Sequence, residues 1–338
     1  MGDLSFQVHH IIPINVFNEF VDIFPSIFDT PKMENIIQSY NNRIALFTDD
    51  APANALRNLH GEGGLKDAPL GSAQHYTSHP KYDNAIREII NDIVKSELTP
   101  PQKRTMLIDM QYSLREMLQS GQPPIYADEA IISDTVKRGM ASVDEIRSGK
   151  GDNYTRALER EARYDKNNEK YPDLMNDPVK KNAKGKFASK GNKNDTFVEK
   201  TGHEIAKALL DADKDAADQN KKAGKEEKGF LNDGSRIALE EVVNGTRKDN
   251  NRIRDAIAKG VYDYKTNPLA NSHEPTNSGD EGTKKGNTHA NQSGTHANEG
   301  GAHANQSGTH TNEGGAHTNQ GGTHTNEGGA HTNQGGTH

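Results

Sequence analysis

Cysteine is absent from this chain. Disulfides and cysteine-ligated zinc are therefore excluded, while the compartment stays open, because cytosolic and exported proteins can both lack the residue. Tryptophan is absent too, and apolar residues make up only 31% of the 338. That is too few for one core along the whole length, so part of the chain is expected to be disordered. No run of about 18 apolar residues exists, and a membrane contact is not expected. The first 24 residues include Asp3, Glu19 and Asp22 and lack a basic start followed by an apolar run, so no cleavable signal peptide is expected. The expected location is the cytoplasm, or a target cell reached by a non-classical export route.

The net charge of −7 is unevenly spread. Residues 1–120 hold 10 Lys+Arg against 15 Asp+Glu, residues 121–265 hold 29 against 27, and residues 266–338 hold 2 against 6. The densest acid-free basic run is 179–193, with Lys180, Lys181, Lys184 and Lys186 among its six lysines. It reads as a solvated linker, or as an arm that touches phosphates on behalf of an acidic first segment.

Three regions follow from pattern. Residues 1–121 read as a compact α+β unit. Alternation at Leu4–Val8 and the apolar run at Ile44–Phe47 predict strands, and the residues between, from Phe17 to Tyr40, have helical spacing interrupted at Pro25. Ser78, followed by Pro80, predicts the start of a helix with Tyr82, Ile86, Ile89, Ile90, Ile93 and Val94 on one stripe. Thr99-Pro-Pro-Gln102 predicts a capping box for a second helix, ended by Gly121. Gln122-Pro-Pro124 reads as a boundary. Residues 125–268 are expected to be helical, around Val198–Leu210, Ile237–Val243 and Ile253–Tyr262. Residues 269–338 hold a seven-residue His/Gly/Asn/Thr repeat, with eight of the 15 histidines at intervals of seven. The repeat has no apolar pair and is expected to be disordered. It reads as a spacer, and loose uptake of Zn, Ni or Cu is the alternative.

Four of the other seven histidines cluster. Val8-His9-His10-Ile11-Ile12-Pro13 is answered by His75-Tyr76-Thr77-Ser78-His79-Pro80-Lys81-Tyr82. Adjacent histidines on a strand point to opposite faces, so one can bind a metal while its neighbour faces an attacking water. His75 and His79 can meet on one side of a helix, or His75 can approach from the loop before it. Three imidazoles then converge and leave coordination positions open, an arrangement suited to phosphodiester hydrolysis.

These two motifs resemble those of the AHH family of HNH/endonuclease VII nucleases, which have a ββα-metal (His-Me finger) core and are common as bacterial toxin modules. The resemblance covers roughly residues 4–95. It implies that His9 is a metal ligand, His10 the general base, and His75 and His79 further ligands. Asn54 would brace the base, with Asn58 as the rival. Val8 stands where the family usually has Ala. The expected fold is thus a His-Me finger core with packed helices, a mostly helical region and a repeat tail. The expected activity is metal-dependent endonuclease cleavage with one divalent ion (Mg, Mn or Zn). Nucleic acid, DNA before RNA, is the expected substrate, in an antibacterial toxin with a cognate immunity protein. The alternative is a non-enzymatic metal-binding or interaction protein with a decayed site. His60, His203 and Asp49-Asp50 read as turn or solvated residues.

Overall fold

In a computed structural model, the structure describes residues 6–30, 32–48, 68–75, 78–177, 179–188 and 196–266, together with the strands of the repeat segment between 283 and 334. The chain divides into two units, residues 1–267 and 268–338.

The first unit is α+β. Strand β1 (Phe6–His10) pairs antiparallel with β2 (Arg43–Phe47), with His9 opposite Ile44 and His10 opposite Arg43. A short β3 (Leu70–Gly71) adds in parallel to the other edge of β2. A Cβ on Gly71 would sit 2.5 Å from a Leu46 methyl and 2.8 Å from the Leu118 carbonyl oxygen, so only glycine allows this approach. The region between β1 and β2 forms three short helices, α1 (Ile14–Phe17), α2 (Phe24–Ile27) and α3 (Met33–Ile37), and Pro25, the expected interruption, lies in the first turn of α2. Their Phe and Ile residues are buried in one core, as the spacing predicts.

Helix α4 (Pro80–Lys95) buries Tyr82, Ala85, Ile86, Ile89, Ile90 and Ile93. Its N-cap is His79 and not the expected Ser78. A residue before proline is pushed out of the α region, so Pro80 at the first helical position fixes the boundary at His79. Helix α5 (Pro100–Ser120) has the expected capping box of Thr99 and Gln102, and Gly121 ends it in the left-handed conformation at φ 65°.

Beyond it lie α6 (Glu129–Arg138), α7 (Val143–Ser148), α8 (Asp152–Lys170), α9 (Thr196–Lys222), α10 (Asp233–Val243) and α11 (Asn250–Thr266). The boundary expected at Gln122–Pro124 does not divide this unit. Ile125, Ile132, Val136, Met140, Ile146 and Phe187 share a core with Ile11, Phe17, Ile90 and Leu107. The lysine-rich run is partly structured too: Lys181 bridges Phe187, whose side chain is buried. No described helix is long and apolar enough to cross a membrane.

The described strands of the second unit, β4 (Thr283–Lys285), β5 (His289–Asn291), β6 (Thr295–Glu299), β7 (Ala302–Asn305), β8 (Thr309–Glu313), β9 (Ala316–Gln320), β10 (Thr323–Glu327) and β11 (Ala330–Gln334), form two four-stranded parallel sheets, ordered β10-β8-β6-β4 and β11-β9-β7-β5. Residues 14 apart are in register, as with His289, His303 and His317. A repeat without apolar pairs gains little from burial, but identical copies satisfy their backbone groups by pairing with one another.

Candidate active site

Strand alternation separates the two adjacent histidines. His9 turns toward α4, and His10 toward the face that carries Arg43. The Nε2 atoms of His9 and His79 lie 3.0 Å apart. Ring centroids are 4.7 Å apart for His9 and His75, and 5.3 Å for His75 and His79. His75 enters from the loop after β3, where its backbone N–H donates to the Phe47 carbonyl at 2.8 Å. The spacing leaves open whether His75 lies on the helix or before it; the structure places it before.

Two side chains anchor the segment after the histidine pair. Asn42 accepts from the Ile12 N–H at 2.8 Å and donates to the carbonyls of Ile12 and Ile37. The buried Tyr82 hydroxyl donates to the Ile11 carbonyl at 2.6 Å.

His9, His75 and His79 each offer a ligand atom, all within 4.8 Å of one another. The Nδ1 atoms of His9 and His75 are buried without a hydrogen-bond partner. Burial, reinforced by the neighbouring imidazoles, holds His9 well below the usual histidine range. Burial, then His79, lowers His75 to about 4. Crowded imidazoles with two unpartnered buried nitrogens fit a cation, because ligation satisfies lone pairs that burial would otherwise leave idle.

His10 is half-buried on the opposite face. Its Nε2 lies 3.2 Å from Gln38 Oε1. An amide oxygen only accepts, so this contact places the proton on Nε2 and leaves the lone pair on Nδ1. Burial, then the Arg43 charge, lowers its pKa to about 4, so the ring is neutral at physiological pH. The guanidinium of Arg43 is itself paired with Asp177 at 2.9 Å.

The structure therefore brings His9, His75 and His79 together and sets His10 apart from them. Asn54 and Asn58, the two residues expected to brace the base, lie outside the described residues, as do His60 and Asp49-Asp50. Gln38 meets His10 instead, and nothing in the sequence pattern singles it out. Asp83, whose carboxylate lies 3.0 Å from His79 Nδ1, also escapes the sequence reading, although its place four residues on in the helix is a readable signal. His203 is exposed, as expected.

Residues 1–120 match the model of AHH, a nuclease family of the HNH/ENDO VII superfamily with conserved AHH. The resemblance drawn from the two histidine motifs is thereby borne out over that segment. No curated protein and no solved structure matches the chain.

Proposed function

We propose that this protein is a metal-dependent endonuclease that hydrolyses phosphodiester bonds, with His9, His75 and His79 as metal ligands and His10 as general base. The observation that carries this reading is the division of the histidine pair: one ring joins a three-imidazole cluster, and its neighbour is held by Gln38 with a free Nδ1. A bound divalent ion would stabilise charge on the phosphate and on the leaving oxygen. His10 Nδ1 takes the proton of the attacking water, and Gln38 Oε1 holds the resulting imidazolium in place. The all-nitrogen donor set favours zinc or a similar first-row ion over magnesium, which prefers oxygen.

DNA as the preferred substrate, and an antibacterial role with an immunity protein, rest on the resemblance to toxin nucleases. The acidic character of residues 1–120 requires that phosphate attraction come from elsewhere, and the exposed Lys180, Lys184 and Lys186 are suited to it.

The test is plasmid nicking by the full chain with added divalent metal. His10→Ala is expected to lose cleavage by a factor on the order of 100 or more and to keep the parent's metal content. His9→Ala should lose both. Equal metal loss in the two variants would show that ligand and base have been misassigned.

A further inference from the structure

Asp83 stands behind the metal cluster in a role that the three-histidine description leaves out. It lies in the first turn of α4, and its side chain is 15% exposed. One carboxylate oxygen is 3.0 Å from His79 Nδ1, and the other accepts from the Asn15 amide at 2.5 Å. The carboxylate meets the ring at Nδ1, whereas Nε2 is the atom that faces His9.

A carboxylate oxygen can only accept here, so the proton of neutral His79 sits on Nδ1. Nε2 then carries the lone pair, aimed at the cluster. Asn15 follows the His9-His10 motif by five residues and belongs to α1, while Asp83 and His79 lie at the start of α4. The Asn15–Asp83 contact thus ties the segment that supplies His9 to the helix that supplies His79.

We propose that Asp83, held by Asn15, is a positioning residue that selects Nε2 of His79 as the ligand atom and strengthens it as a donor. The inference rests on the metal site proposed above. Carboxylates placed behind ligating histidines fix the tautomer and raise basicity, and their loss costs metal affinity about 10–100-fold. An ordinary first-turn acid, present only to suit the helix dipole, would affect helix stability and leave the imidazole tautomer alone.

The experiment measures Zn2+ titration by calorimetry, and the Co2+ absorption spectrum, on the full chain. His9→Ala is run in parallel, so that the His9-dependent component is separated from uptake by the repeat histidines. Asp83→Ala is expected to weaken that component about 10–100-fold, and Asp83→Asn, which keeps an acceptor, by less. Nitrogen-15 NMR of the imidazoles, without metal, should show the His79 proton on Nδ1 in the parent and a mixture of tautomers in Asp83→Ala. Asn15→Ala should shift both readouts in the same direction by a smaller factor. If Asp83→Ala fails to fold, Asp83→Asn and Asn15→Ala carry the test alone. A His9-dependent component of unchanged affinity in the Asp83 variants, with the tautomer unmoved, would overturn this proposal and leave the metal site standing. A parent chain with no His9-dependent component would overturn both.

Discussion

Gln38 and His10 are 28 positions apart in sequence and joined by one hydrogen bond. That bond decides which nitrogen of His10 is free, so Gln38→Ala is expected to lower kcat by about tenfold or more while Zn2+ affinity stays within about twofold of the parent. Single-turnover cleavage alongside metal titration checks this, and an equal fall in both would assign Gln38 a merely structural part. The four histidines of the two motifs are legible in the sequence because imidazole pairs at these spacings have few other uses. Gln38 is not, because a glutamine carries no signal of its own until the fold brings it to a partner. Asp83 lies between these cases. Its spacing from His79 is visible, but an acid in the first turn of a helix is common enough to pass without notice.

The elements divide in the same way. Local signals place α5 well, since the Thr99–Gln102 capping box and Gly121 act within a turn of the chain. The cap of α4 falls one residue later than Ser78 because Pro80 outweighs a good capping side chain. That shift matters to the site: His79 is left as a non-helical cap residue with φ −129°, and its ring is free to turn to the cluster. The region of α1 to α3 reads as helical on both sides of Pro25 because buried Phe and Ile recur there, and the recurrence reports a shared core more than long helices.

In the lysine-rich hairpin all four lysines are exposed, but Lys181 pairs with Glu34 and lies over the Phe187 ring, which leaves Lys180, Lys184 and Lys186 to meet phosphate. Replacing those three with Gln should weaken DNA binding at low salt. For every lysine that neutralises a phosphate in the parent, its replacement should flatten the plot of log affinity against log salt by about 0.9, with kcat little changed. An unchanged slope would return the hairpin to a structural role.

Across the whole molecule, the first unit behaves as one folding body. The sequence pattern bounds the catalytic part at residues 1–121 because Pro123 and Pro124 look like punctuation, yet the core runs straight past them. Three distant contacts add to it. Arg43 pairs with Asp177, Asn18 exchanges hydrogen bonds with the Phe187 backbone at 2.8 and 2.9 Å, and Arg254 donates to the Phe6 carbonyl at 2.8 Å. A fragment of residues 1–121 is therefore expected to lack a cooperative thermal transition, while residues 1–267 melt at the temperature of the same unit in the full chain. A sharp melt of the short fragment, followed by circular dichroism, would count against this. The Arg254–Phe6 contact also bears on how the protein is made. A ribosome releases the strand that carries His9 and His10 some 248 residues before it releases one of that strand's fastenings. Synthesis at about 5–20 residues per second puts that delay at tens of seconds at most. The nascent chain would spend this interval with its histidines translated but their scaffold incomplete, and the cell that makes the enzyme would meet its chemistry only after almost the whole helical region had emerged.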